Sequence, residues 1–210
     1  MNFTQLLKLY SRRNPIIFDK KQNFIFIPNN KVAQTSIVRN ILKDRCVVKK
    51  DNSLKWHFFF LLALRDCYYK RNIIYTFTVV RNPYAMVFSA YDYLKYKLRK
   101  DKLSKYDDFN EFIEKLLSKE REKVDPHFLP QSDSLIYKNK TLPIHVYYLE
   151  TLNESWKELL EKIKEPYQEL PQAHKNISST TSYKDSYNKQ SYKIVNELFK
   201  SDFEIFGYKK

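Results

Sequence analysis

A polar turn near the start of the chain carries a cation followed by two hydroxyls. Lys31 lies in the segment Pro28–Ser36, and Thr35 or Ser36 begins a predicted helix, because Ile37 and later apolar residues recur at helical spacing. The first turn of a helix offers unpaired N–H groups and partial positive charge to an anion. The pattern predicts a phosphate or sulfate site, although a capped helix beside a surface lysine would give the same residues. The Gly-Lys-Ser/Thr motif that holds Mg²⁺ in nucleoside triphosphatases does not occur here, so no metal is required.

A second cation follows a second apolar run. Arg81 comes directly after the predicted strand Ile73–Val80, and Pro83 suits the first turn of a helix that continues to about Leu98. A buried guanidinium needs an anionic partner, since an unpaired buried charge is costly. Taken alone, Arg81 could serve a carboxylate as well as a phosphate.

The elements that position these residues alternate between strand and helix. Predicted strands cover 23–27, 73–80 and 144–149, and predicted helices cover 56–65, 83–98, 107–119, about 152–160 and 189–200. This order favours an α/β fold with a parallel sheet flanked by helices, in one domain over residues 1–210. Ligands of such sheets bind beyond the carboxyl ends of the strands, where both polar turns begin.

The composition limits the class of protein. The chain has 210 residues, 43% of them apolar, and a formal charge of +14, which favours an anionic ligand. Cys46 and Cys67 provide neither a disulfide framework nor a metal-ligand spacing. With no signal segment and no apolar run of about 20 residues, the sequence predicts a cytoplasmic protein without a membrane span.

The two turns together resemble those of the PAPS-dependent sulfotransferases, in particular the carbohydrate (glycosaminoglycan-type) branch and its bacterial relatives. The first family pattern is Pro-Lys-x-Ala/Gly-x-Thr-Ser and the second is Arg-Asn/Asp-Pro-Tyr followed by Ser-Ala-Tyr. The residues that match them are Lys31, Ala33, Thr35 and Ser36, then Arg81, Asn82, Pro83, Tyr84, Ser89, Ala90 and Tyr91. One departure is that Asn29 and Asn30 stand between Pro28 and Lys31, which makes the first turn two residues longer.

Three later segments extend the resemblance, which runs from about Ile16 to Tyr208. Asp125–Gln131 is similar to the family segment Asp-x-His-Trp-x-Pro-Gln, and Leu149–Leu152 is similar to its Glu-Asn-Leu segment. The ending Asp202–Tyr208 is also typical of the family. The resemblance implies a P-loop NTPase-like sulfotransferase fold with its core at about 16–208.

The resemblance also implies the activity: transfer of a sulfuryl group from 3'-phosphoadenosine 5'-phosphosulfate (PAPS) to a hydroxyl of a carbohydrate, which could be an anionic glycan. It assigns the 5'-phosphosulfate to a set of first-turn residues, Lys31, Ala33, Gln34, Thr35 and Ser36. It assigns the 3'-phosphate to Arg81 and Ser89. Lys31 would also stabilise charge on the leaving oxygen, and no metal or nucleic acid takes part.

A sugar hydroxyl needs a base near neutral pKa, which histidine supplies. His57 occupies the position of the family's presumed base, and His127 is the second candidate. The resemblance places His127 and Gln131 in a segment that would border the acceptor or the donor, and both are assigned to substrate binding. His145 lies inside a predicted strand and is expected to be structural.

Two other classes of function stay open at this stage. One is a P-loop kinase acting on a small molecule, which would require Mg²⁺ and ATP. The other is a basic binding module for RNA or a polyanionic glycan, or an inactive relative of the sulfotransferases, since 17 tyrosines could stack on bases. The altered first turn is the reason to consider an inactive relative.

Overall fold

The computed structural model of the protein describes residues 17–19, 21, 23–32, 37, 46–48, 74–97, 108–118, 125–137, 140–142, 144–170 and 183–210. Two compact units are present. The first unit lies within Met1–Val80 and Ser134–Gln172, and the second lies within Arg81–Asp133 and Ala173–Lys210. The predicted helix at 56–65 lies outside the described residues, and the assignment of the chain to one domain stays a prediction.

The first unit contains a sheet whose five described strands are β1 (Ile17–Asp19), β2 (Phe24–Ile27), β3 (Cys46–Val48), β4 (Tyr75–Val80) and β7 (His145–Tyr148). Their order across the sheet is β3-β1-β2-β4-β7. A separate antiparallel pair consists of β5 (Ile136–Tyr137) and β6 (Lys140–Thr141). The strands predicted at 23–27, 73–80 and 144–149 are therefore confirmed as β2, β4 and β7.

The centre of this sheet is parallel. β2 pairs with β4, and β4 pairs with β7, each in the parallel sense. All four residues of β2 are buried, which explains why its sequence is a continuous apolar run rather than an alternating one. The predicted α/β fold with a parallel sheet is confirmed. The sequence did not predict β1, which pairs antiparallel with β2, or β3, which pairs antiparallel with β1.

One helix covers an aromatic face of the sheet. Phe26 stacks on Phe77 with ring centroids 4.8 Å apart, and Tyr147 packs edge-on against Phe77 at 6.2 Å. Helix α3 (Leu152–Lys162), preceded by a 3-10 turn at Leu149–Thr151, buries Trp156 against this face. Burying each large apolar side chain contributes about 1.5–3 kcal/mol, so this contact holds the helix on the sheet.

The second unit is helical among its described residues. Its helices are α1 (Pro83–Asp92), α2 (Phe109–Phe112), α4 (Lys189–Leu198) and α5 (Lys200–Phe206). π-helical turns extend α1 and α2 at Tyr93–Lys97 and Ile113–Leu117. Short 3-10 turns occupy Pro126–Phe128, Gln131–Ser134 and Tyr183–Ser186. The helices predicted at 83–98, 107–119 and 189–200 are confirmed in type, whereas α5 was not predicted.

Capping and aromatic packing explain these helices. Asp108 caps α2, because its carboxylate accepts from the N–H groups of Asn110 and Glu111 at 3.2 Å each. Tyr187 packs against Tyr84 and donates its hydroxyl hydrogen to the Tyr84 carbonyl oxygen at 2.8 Å. Burial raises the pKa of Tyr187 well above its ordinary value, so this hydroxyl stays a donor. Several tyrosines of the second unit therefore belong to its core.

Candidate functional site

Asn29 ties the first turn to the neighbouring strand. Its side chain is 6% exposed, and Nδ2 donates to Thr78 Oγ1 at 3.0 Å and to the Val79 carbonyl oxygen at 3.2 Å. Ser134 Oγ donates to Asn29 Oδ1 at 3.3 Å. Thr78 Oγ1 in turn donates to the Ile27 carbonyl oxygen at 2.7 Å. One buried amide thus joins the chain just after β2 to the end of β4.

Lys31 has an unusual backbone conformation. Its φ is +61°, in the left-handed region, which costs a non-glycine residue about 1–2 kcal/mol. Val32 follows and is fully buried in the core of the first unit. The half-buried Lys31 therefore lies between two buried residues, Asn29 two positions before it and Val32 directly after it. The chain's one glycine, Gly207, takes a φ of +68° at the end of α5 instead.

The second turn is held by a side chain from a distant part of the sequence. The Arg81 N–H donates to Gln131 Oε1 at 2.9 Å, and Gln131 Nε2 donates to the Arg81 carbonyl oxygen at 2.7 Å. The side-chain oxygen of Asn82 then caps α1 by accepting from the Tyr84 N–H at 3.0 Å, and Pro83 occupies the first turn. The backbone is thereby set at the point where β4 ends and α1 begins.

Asp202 of α5 holds the segment that carries Gln131. Its Oδ2 accepts from the Gln131 N–H at 2.9 Å, and its Oδ1 accepts from the Ser132 N–H at 2.9 Å and from Ser132 Oγ at 2.6 Å. Asp202 is 0% exposed, and burial raises the pKa of its carboxyl, while the hydrogen bonds from Ser132 and Gln131 lower it in part. Asp202 therefore links α5 to the turn at Gln131.

His127 forms a pair with a carboxylate. Its Nδ1 lies 2.5 Å from Asp125 Oδ1, and its N–H donates to the same oxygen at 3.0 Å. Asp125 is buried, whereas the His127 side chain is 27% exposed, and the ring of Tyr93 lies 5.8 Å from the imidazole. An imidazole bound in this way through Nδ1 presents Nε2 as a proton acceptor. The pair has the geometry of an oriented base.

A model of the sulfotransferase family matches residues 14–209. The chain belongs to the sulfotransferase family. No curated protein and no solved structure matches it. The family and the parallel sheet agree with a P-loop-like sulfotransferase fold, and the protein is a transferase of sulfuryl groups.

The predicted site residues of this sulfotransferase fall in both units. Lys31 belongs to the first unit, and Arg81 belongs to the second. Ser89 is 3% exposed on α1, and the amide of Gln131 contacts the Arg81 backbone. The other predicted residues, His57, Ala33, Gln34, Thr35 and Ser36, lie outside the described residues.

The remaining described histidine of interest is His145. It lies at the start of β7, as the sequence predicted. Burial lowers the pKa of His145, and the nearby charge of Lys162 lowers it further, so the ring is neutral near pH 7. This environment agrees with the structural role expected for it.

In the part of the sulfotransferase that the structure describes, no three or more His, Cys, Asp or Glu side chains are grouped so that they could hold a metal ion. Nor does that part of the chain contain a helix with the length and apolar character needed to cross a membrane.

The sequence did not predict the contacts of three residues that shape this geometry, Asp125, Asn29 and Asp202. Asp125 stands two residues before His127, a spacing that could have indicated the pair. Asn29 interrupts the family pattern, which marked it as unusual without indicating its partners. Asp202 carries no local signal, because its partners Gln131 and Ser132 lie about 70 positions away in the sequence.

Proposed function

We propose that this sulfotransferase transfers the sulfuryl group of PAPS to a hydroxyl of a carbohydrate acceptor. The observation that carries the proposal is the pairing of β2 with β4 as adjacent parallel strands. Because parallel strands end at the same side of a sheet, the turns with Lys31 and Arg81 both start from that side. The family resemblance assigns to each turn one phosphate group of a nucleotide that is phosphorylated at its 3' and 5' positions.

The first turn would take the 5'-phosphosulfate. A left-handed residue in a turn helps to direct successive N–H groups toward one side, which forms an anion-binding nest, and Lys31 has that conformation. Its ammonium would offset charge on the bridging oxygen as the nucleotide leaves. The family resemblance adds Ala33, Gln34, Thr35 and Ser36 to this turn.

The second turn would take the 3'-phosphate through Arg81 and Ser89. A guanidinium binds phosphate with two parallel hydrogen bonds when its direction is set. The Arg81 backbone is fixed by Gln131 on one side and by the cap of α1 on the other. This arrangement supports selection of donors that carry a 3'-phosphate.

The reaction would be an in-line displacement that needs no metal. The bond between sulfur and the bridging phosphate oxygen breaks, and a bond between sulfur and the acceptor oxygen forms. The proton of the acceptor hydroxyl passes to a base, and adenosine 3',5'-bisphosphate leaves. The formal charge of +14 favours an anionic glycan among carbohydrate acceptors.

Two histidines are candidates for the base. The family resemblance assigns the role to His57, whereas the contact with Asp125 favours His127. Replacing the true base by Asn should lower kcat about 100-fold or more with an unchanged dissociation constant for the donor nucleotide. If His127 is the base, Asp125→Asn should also lower kcat. An unchanged kcat in both His127→Asn and Asp125→Asn would leave the role to His57.

The nucleotide class is tested by a thermal shift measured with adenosine 3',5'-bisphosphate, ADP and AMP. The bisphosphate should raise the melting temperature most, because it alone has both phosphates. Equal responses to the three would contradict the proposal. Mg²⁺-dependent ATP consumption would favour a kinase, and tight RNA binding without a bisphosphate response would favour a binding module.

A further inference from the structure

We propose that Gln131 and Asp202 are positioning residues that direct the Arg81 guanidinium toward the 3'-phosphate of the donor. This inference rests on the proposed function. It gives Gln131 a role distinct from the acceptor contact that the sequence predicted for it. The evidence is a chain of buried hydrogen bonds within the second unit that runs from α5 to the backbone of Arg81.

The first link is the side-chain amide of Gln131. Its oxygen accepts from the Arg81 N–H at 2.9 Å and its nitrogen donates to the Arg81 carbonyl oxygen at 2.7 Å, so one amide holds both peptide groups around one α-carbon. If the amide oxygen and nitrogen changed places, the amide nitrogen would face the Arg81 N–H and the amide oxygen would face the Arg81 carbonyl oxygen. Neither pair can form a hydrogen bond, so the orientation of the amide is determined. Gln131 is 2% exposed, so water competes little for these hydrogen bonds.

The second link is the carboxylate of Asp202. It accepts from the Gln131 N–H at 2.9 Å, and Gln131 Nε2 lies 3.4 Å from the same oxygen. The other oxygen accepts from the Ser132 N–H and hydroxyl, and the Ser132 hydroxyl also lies 2.9 Å from Ser201 Oγ. Asp202 thus fixes both the backbone and the amide of Gln131.

The consequence concerns the direction of one side chain. The two peptide groups held by Gln131 determine where the Cα–Cβ bond of Arg81 points, while none of these hydrogen bonds uses the guanidinium. Arg81 itself is half-buried rather than enclosed. Loss of the Gln131 amide would leave the charge of Arg81 in place but would remove the restraint on its direction.

The test measures the dissociation constants of the wild type and of Gln131→Met for adenosine 3',5'-bisphosphate and for AMP. This variant keeps the length of the side chain and removes its hydrogen bonds. We expect bisphosphate binding to weaken about tenfold and AMP binding to stay within about twofold, because AMP lacks the phosphate that Arg81 would bind. Val195→Ala, a core change elsewhere in the second unit, serves as the matched control and should leave both constants unchanged.

A double-mutant cycle separates positioning from general destabilisation. In an Arg81→Ala background, Gln131→Met should cause no further loss of bisphosphate affinity, because its effect passes through the missing side chain. An additive loss, or equal losses for bisphosphate and AMP, would overturn the inference. If the wild type itself does not prefer bisphosphate over AMP, the proposed function fails, which is a distinct result.

Two further measurements test the inference if Gln131→Met does not fold. Gln131→Glu keeps an acceptor for the Arg81 N–H and loses the donor to its carbonyl oxygen, so its bisphosphate affinity should also fall. Amide hydrogen exchange of the wild type should show the Arg81 N–H protected to the level of the β4 core. Fast exchange at Arg81 would contradict the proposed restraint without any variant.

Discussion

The two cationic turns are held in different ways. The turn after β2 contains its own anchor, since Asn29 lies two residues before Lys31 and reaches across to β4. The turn after β4 is anchored from outside, by Gln131 and then by Asp202 of α5. In the first arrangement the anchoring side chain belongs to the turn itself, whereas in the second it comes from a distant segment. In both, the partners meet only in the folded chain.

The backbone differs as well. Lys31 takes a left-handed φ of +61° that disfavours any residue with a β-carbon. The second turn uses a standard helix start, with Asn82 as the cap and Pro83 in the first turn. Strain is therefore confined to the first turn, while the second turn is stabilised by satisfied hydrogen bonds.

The largest expected effect comes from removing the cation of the second turn. Arg81→Ala should weaken adenosine 3',5'-bisphosphate binding about 10- to 150-fold, which corresponds to about 1.5–3 kcal/mol for hydrogen bonds to a charged group. The hydrogen bonds to Gln131 use the Arg81 backbone, so the variant should still fold. Isothermal titration and circular dichroism check the two expectations.

Arg81→Lys is the matched control for this change. Lysine keeps the charge but loses the planar fork, so it should recover part of the affinity. If Arg81→Ala binds the bisphosphate with wild-type affinity, the second turn does not contact the nucleotide, and the two turns cannot be compared as two parts of its site.

An effect of similar size, on stability rather than on binding, is expected at the anchor of the first turn. Asn29→Asp replaces the donor that faces Thr78 Oγ1 and the Val79 carbonyl oxygen by an acceptor, in a buried position. The free energy of unfolding should fall by about 2–3 kcal/mol, because unsatisfied buried polar groups lose their solvation. Urea denaturation measures this. The same change at the neighbouring, less buried Asn30 should cost less; equal costs would show that Asn29 is not the anchor.

Backbone strain at Lys31 gives a smaller difference. Lys31→Gly and Lys31→Ala both remove the charge, and only glycine adopts a φ of +61° without a steric cost. The glycine variant should therefore melt about 2–4 °C higher than the alanine variant, which corresponds to about 1 kcal/mol. Both should lose sulfuryl transfer activity. Identical melting temperatures would mean that the turn relaxes when the lysine is removed.

The smallest effect is a pH dependence confined to the second turn. Burial raises the pKa of the Asp202 carboxyl above its ordinary value of 3.8, so the folded state binds this proton more tightly than the unfolded state. The contribution of Asp202 to stability is full below about pH 4 and is lost as the pH rises through its folded-state pKa. The hydrogen bonds from Ser132 and Gln131 limit the size of this loss.

The prediction for Asp202 is tested by comparing how steeply the free energy of unfolding changes with pH in two proteins. Urea denaturation of the wild type and Asp202→Asn across this pH range should differ in pH dependence, and the variant should lack the decline assigned to Asp202. The amide of Asn29 does not titrate, so Asn29→Ala, which adds no titratable group, serves as a contrast for the first turn. Parallel pH profiles of wild type and Asp202→Asn would show that the carboxyl titrates alike in both states.

Much of the fold was predictable because its signals are local. The buried run Phe24–Ile27 and the β-branched run ending at Val80 indicated strands, and Asn82 with Pro83 indicated where α1 begins. The antiparallel strand β1 was not predictable in the same way, since a strand of three residues gives almost no pattern. The helix α5 was missed because its seven residues directly follow α4 and read as a polar and aromatic ending.

The sequence by itself determined the family, the parallel order of strand and helix, and the two cations that follow β2 and β4. These depend on residue type and on spacing over a few positions, where propensity and capping act. Only the tertiary structure decided how the turns are held: Asn29 by Thr78 and Val79, Arg81 by Gln131, and Gln131 by Asp202. Those hydrogen bonds join positions about 50 to 71 residues apart, and a buried polar group accepts whichever partner the fold brings to it.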